Sequence, residues 1–70
     1  MSVAKVVELI AESPKSWEDA TQEALQMASK TLRGIRSIWI SDMQALVENN
    51  QIRAYRVNVK VTFEVEETSR

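Results

Sequence analysis

The chain has 70 residues, 44% of them hydrophobic, with nine basic and ten acidic side chains and a formal net charge of −1. A chain this short makes one domain, spanning residues 1–70, and buries only about 60% of its unfolded surface, so disulfides, a metal or self-association must supplement the core. Cysteine and histidine are both missing, which excludes disulfides, thiolate or imidazole metal sites and Ser-His or Cys-His nucleophiles, and the balanced charge offers no basic stripe for nucleic acid.

Val3 to Ile10 is a run of Val, Ile and Leu with Lys5 and Glu8 interspersed. It predicts a first strand with one face more buried than the other. Ala11–Lys15 breaks the run, because Pro14 cannot donate to a ladder and pushes Ser13 away from helical geometry. Ser16–Asp19 reads as a capping box, in which the Ser16 hydroxyl accepts from the Asp19 amide while Asp19 reaches back. Trp17, Ala20, Ala24, Met27, Ala28, Thr31 and Ile35 then recur at helical spacing, opposite a wet side that includes Glu18, Gln22, Glu23, Gln26 and Lys30. Lys30 and Arg33 suit a helix carboxyl end and Gly34 supplies a left-handed stop, which predicts one helix of about five turns.

After Gly34 the period becomes two. Ile38 and Ile40 point one way, and Ser37, Trp39 and Ser41 the other. Beyond Asp42 the phase is mixed, with Met43, Ala45 and Val47 against Gln44 and Leu46, which predicts a bulge or a switch of environment. Glu48–Gln51 forms a hairpin connection whose asparagines tolerate positive φ. Tyr55, Val57, Val59, Val61, Phe63 and Val65 then alternate with Arg56, Asn58, Lys60, Thr62 and Glu64 in the clearest strand of the chain, and Thr68–Arg70 is expected to fray.

The order is β-α-β-β, an α+β fold with one helix on a three-stranded antiparallel sheet whose last strand lies in the middle. One sheet face packs on the helix, and the face carrying Trp39, Arg56, Asn58 and Lys60 stays uncovered. Long exposed edges in so small a protein favour a closed homo-oligomer. No apolar run approaches the ~20 residues of a membrane span, and the N-terminus lacks a signal-peptide layout. A cytoplasmic domain without membrane or nucleic-acid partners is expected.

The pattern resembles the dodecins, small β-α-β-β proteins that assemble as hollow dodecamers. Val6-Val7-Glu8-Leu9 with Ser13, Ala28-Ser29-Lys30-Thr31-Leu32-Arg33, and Tyr55 through Phe63 carry the resemblance. Flavin-storing dodecins stack an indole at the start of the second strand, with an arginine further along it and a glutamine on the third. Aligned from Lys30–Arg33, those positions are Ser37, Gln44 and Arg56 here, so the resemblance implies no tight flavin site of that form. Trp39, two residues on and on the same strand face, fits two roles: a shifted stacking platform for a flavin, or a packing residue at a subunit contact.

Met1-Ser2-Val3, Lys5-Val6, Ser13-Pro14, Ser16-Trp17-Glu18, Ala20, Ile35-Arg36 and Tyr55-Arg56 are similar to a branch that lacks the flavin tryptophan and is associated with calcium. Trp17 belongs to the helix start in this alignment, not to a ligand. Calcium takes six to eight oxygens, which no contiguous loop supplies, so candidate ligands are Glu8, Asp42, Glu64 and Glu66 gathered from several subunits. The competing role for each is a solvated or ion-paired surface acid. An enzyme is the least favoured class: Glu66 and Glu67 would face opposite ways on a strand, and Glu18-Asp19 already serves the helix start. The function expected is binding or storage of a small ligand or ion by a homododecamer.

Overall fold

A computed structural model describes residues 3–65. It comprises β1 (Val3–Ser13), α1 (Trp17–Ala28), β2 (Ile35–Glu48) and β3 (Gln51–Val65). The sheet order is β1-β3-β2, with both pairings antiparallel. This is the expected architecture, with the longest strand in the centre.

Strand alternation divides the sheet into two faces. Val57, Val59 and Val61 of β3 are fully buried against Ala20, Ala24 and Ala28 of α1. The alanines recur every four residues and so line one side of the helix, where their small side chains let it approach the valines closely. Leu9, Ala11, Trp17, Leu32, Ile35 and Ile38 pack around this centre. Fully burying a valine contributes about 1.5–3 kcal/mol, so three in the middle strand anchor the sheet to its helix.

β1 runs to Ser13, past the Ile10 expected, and Pro14 ends it. Ser13 is 2% exposed; its hydroxyl donates to Asp19 Oδ2 at 2.6 Å and accepts from the Lys15 amide at 2.9 Å. Only half of the capping box forms. Ser16 Oγ accepts from the Asp19 amide at 2.9 Å, but the Asp19 carboxylate is taken by Ser13 and does not reach back.

The helix is shorter than its amphipathic pattern. It has 12 residues, or about three turns. The Thr31 and Leu32 amides both donate to the Ala28 carbonyl, so the chain leaves in a tight turn that swings Leu32 onto the core. Lys30 and Arg33 lie beyond the helix. Gly34 does take positive φ, +72°, but it steers the chain into β2 after the turn and does not stop the helix. Its carbonyl accepts from the Glu64 amide at 2.9 Å.

β2 continues through the stretch of mixed phase because the register shifts between Ile35 and Ser37, between Ile40 and Asp42, and between Leu46 and Val47. The middle shift is a bulge, of the two alternatives expected, but it lies just before Asp42 and not beyond it. It inserts Ser41, so Ile38 and Ile40 are followed on the helix-facing side by Met43 and Ala45, and the outward row passes from Trp39 to Asp42, not Ser41. Asn49 and Asn50 make the two-residue hairpin with φ of 53° and 62°, the backbone of a type I′ turn. The strands far outreach the helix, and the chain measures 59 × 19 × 13 Å. No helix among the described residues is long and apolar enough to cross a membrane. The expected tail at Thr68–Arg70 lies outside the described residues.

Candidate functional site

The face of the sheet turned away from α1 is built of four cross-strand rows. Reading β1, β3, β2, they are Val6–Thr62–Ser37, Glu8–Lys60–Trp39, Ile10–Asn58–Asp42 and Glu12–Arg56–Gln44. Each central residue is the neighbour in sequence of an inward valine or aromatic, so burying the core forces these polar groups outward. The four residues expected to line a ligand site, Ser37, Trp39, Gln44 and Arg56, all fall on this one face. The inserted Ser41 makes this possible: without it, Gln44 would turn inward. Ser41 itself donates from Oγ to the Asn58 carbonyl at 3.0 Å.

Trp39 is 62% exposed. The Lys60 ammonium stands over its indole, with Nζ 5.0 Å from the ring centroid. This is a cation–π contact at an exposed site, worth about 0.5–1 kcal/mol. A planar ligand stacking on that side of the indole must displace Lys60. Two rows away, Arg56 is held by a carboxylate: Nε and Nη2 both donate to Glu12 Oε2, at 2.9 and 2.6 Å. Gln44 lies on the other side of Arg56 in the same row, and its backbone carbonyl accepts from the Trp17 indole N–H at 2.9 Å. Trp17 thus belongs to the helix start, as expected, and packs edge-on against Tyr55 with centroids 4.9 Å apart.

The expected cation ligands are spread out within one chain. Glu8 and Asp42 sit on opposite edge strands, across Lys60 and Asn58 respectively. Glu64 is ion-paired with Arg36, and Glu66 lies outside the described residues. No group of three or more acidic side chains able to hold a metal occurs among the described residues. The described residues of one chain therefore gather no calcium cage, and Lys60 stands between the strands carrying Glu8 and Asp42.

Glu12 is the residue that sequence reasoning missed. Ending the first strand at Ile10 removed it from the sheet. Its signal was available in the register: once Val7 pairs with Val61 in an antiparallel ladder, Glu12 must face Arg56.

Comparison with known proteins adds three findings. The family model described as Dodecin matches residues 3–66. The calcium dodecin of Mycobacterium tuberculosis is 35% identical over 65 residues, covering 93% of this chain and 92% of that protein; a solved calcium dodecin from the same species, described as calcium-chelating with a novel calcium-binding site, superimposes with a TM-score of 0.80 at 32% identity over 99% of both chains. The dodecin of Thermus thermophilus is 35% identical over 66 residues, covering 94% of this chain and 96% of that protein, and a solved variant of it reaches a TM-score of 0.90 at 34% identity, over 97% of this chain and all of that one.

Proposed function

This chain belongs to the dodecin family, and we propose that it is a non-enzymatic cytoplasmic binding protein, assembled as a hollow homododecamer, that holds a small ligand or cation and does not bind flavin tightly. The observation that carries this reading is the composition of the outer sheet face. Ser37 stands where flavin-storing dodecins carry the stacking indole, Gln44 where they carry the arginine, and Arg56, already tied to Glu12, where they carry the glutamine. Losing the stack removes about 0.5–1.5 kcal/mol beyond the buried area. Losing a partner for a buried polar group costs about 1–3 kcal/mol more. At 1.4 kcal/mol per decade, flavin affinity falls by roughly one to three powers of ten.

A cation is the other class of ligand, supported by the kinship with calcium dodecin. Because Glu8, Asp42 and Glu64 lie apart in one chain, a calcium site here takes acids from several subunits.

One observation favours a second reading, flavin storage with Trp39 as a shifted platform: the indole is on the right face and largely exposed. Riboflavin titration of the parent and of Trp39→Ala separates the two. Binding no tighter than micromolar and equal in both supports the first reading. Tight binding by the parent that Trp39→Ala abolishes replaces it with the second. Calcium titration of chelator-treated protein then tests the cation class, with Asp42→Asn expected to weaken any site.

A further inference from the structure

We propose that Lys60 is an exchangeable lid on Trp39: it caps the indole, gives it up to a planar aromatic ring, and transfers its ammonium to Glu8. The inference rests on the Trp39 platform of the second reading above and adds what that platform displaces and where the displaced charge goes. Two rows of the outer face have the same plan. In Glu12–Arg56–Gln44 and in Glu8–Lys60–Trp39, a glutamate on β1 stands directly across from a base on β3, with a β2 residue on the base's other side. The β1–β3 ladder runs from Glu8 to Glu12 without a shift, and cross-strand pairs an even number of residues apart share one geometry. The two bases nevertheless turn opposite ways. Arg56 reaches toward β1 and binds Glu12 Oε2 at 2.6 Å. Lys60 reaches toward β2, with Nζ 5.0 Å from the Trp39 centroid, and the ion pairs among the described residues are Arg36–Glu64, Arg53–Glu48 and Arg56–Glu12. Glu8 is exposed. Cβ atoms of directly opposite residues are about 4.5–5.5 Å apart, a gap a lysine spans. Lys60 therefore has two partners within reach, and the Arg56 row shows that a base on β3 can take the one Lys60 leaves unused.

The choice between them is closely balanced. An exposed cation–π contact and an exposed ion pair are of similar, small worth, so moving Lys60 from one to the other changes little in free energy. It changes access a good deal. β2 is an edge strand, so a ring resting on the sheet beside Trp39 lies over β3, on the strand of Lys60. With the ammonium over the indole, the ring must displace it. With the ammonium on Glu8, that side of the indole is open. Glu8 also lowers the cost of displacement, because the charge moves to a carboxylate and not into open water. Lys60 and Glu8 thus set the affinity of the platform through Trp39 and not by binding the ring, which makes them positioning residues.

Riboflavin, a neutral planar probe, reads the exchange in titrations of the assembled protein. Lys60→Thr removes the long side chain and keeps a good strand former. It is expected to tighten binding about two- to fivefold, the worth of an exposed cation–π contact, and adding Trp39→Ala is expected to erase the gain. Glu8→Gln removes the receiving carboxylate. It is expected to weaken binding by the parent by up to about fivefold and to do nothing once Lys60 is replaced, since no ammonium is left to receive. Three results overturn the lid and leave the platform standing: no gain from Lys60→Thr while Trp39→Ala still weakens the parent, no effect of Glu8→Gln in the parent, or a Glu8→Gln effect that persists without Lys60. No response to Trp39→Ala in either background overturns the platform and the lid together.

Discussion

The two faces of β3 alternate residue by residue and obey different rules. On the helix side, Val57, Val59 and Val61 meet Ala20, Ala24 and Ala28 and are sealed from water. On the other side, Arg56, Asn58, Lys60 and Thr62 stand between residues of both neighbouring strands and stay in contact with solvent. The inner residues are interchangeable in chemistry and constrained in volume; the outer ones meet cross-strand neighbours and solvent, so their chemistry can vary without disturbing the core. Substitutions confined to the outer face can therefore change its chemistry while the inner face is kept.

The largest effect should come from breaking that division at its centre. Val59→Asp puts a carboxylate where no water and no partner is available, and burying an unpaired charge is among the few single changes that cost more than about 4 kcal/mol. In a chain whose core is three valines and three alanines, circular dichroism should show the fold lost. Its neighbour Lys60→Asp, one residue along and on the other face, should leave the spectrum near that of the parent. Equal damage from both would mean the outer face is as tightly enclosed as the inner one.

A smaller effect tests how the chain reaches the sheet in the right phase. Gly34 has φ of +72°, and a Cβ there would come 3.1 Å from the Glu64 carbonyl oxygen. Gly34→Val meets both the left-handed strain, about 1–3 kcal/mol for a residue held in a sparsely populated region, and the contact with β3 backbone. Melting should fall clearly, and Gly34→Asn, which tolerates positive φ better, should recover part of the loss. Identical melting of valine and asparagine variants would show that this turn relaxes freely.

These cases also indicate what the sequence made legible. The period-two pattern of Tyr55–Val65 carried the central strand and both of its faces, because one face is buried and a one-residue slip would reverse every side chain. The mixed phase beyond Asp42 signalled a bulge, which sits just before it at Ser41, and Asn49-Asn50 signalled the hairpin. The helix end was not legible. Thr31, Leu32 and Ile35 continue an amphipathic stripe, but the stripe records burial, and Leu32 reaches the core from a turn as well as it would from a helix. Ser13 misled for a related reason: beside Pro14 it looked like part of a break, whereas it closes β1 and binds Asp19. In the candidate site, the alignment to flavin-storing dodecins located Ser37, Gln44 and Arg56, and register alone placed them on one face. The ion pair that occupies Arg56 was lost with the last residues of β1.

The smallest expected effect concerns that pair. Glu12 and Arg56 bond through two N–H groups to one carboxylate oxygen, but their side chains remain 41% and 40% exposed. In one chain the attraction is therefore screened by water, and exposed pairs contribute about 0.2–1 kcal/mol. A double-mutant cycle of Glu12→Gln and Arg56→Gln should give a coupling within that range at low salt, fading toward zero at about 1 M salt, where the screening length is about 3 Å. The cycle is informative because a neighbouring copy seated on the outer face would take the pair out of water. If the outer face stays wet, the coupling stays small and salt-sensitive. A coupling of several kcal/mol that resists salt would mean that Glu12 and Arg56 are desolvated in the assembled protein, since only a pair removed from water is strengthened to that degree. In that event the outer face is closed by a neighbouring subunit, and Arg56, held by Glu12 and shut off from solvent, is unavailable to any ligand.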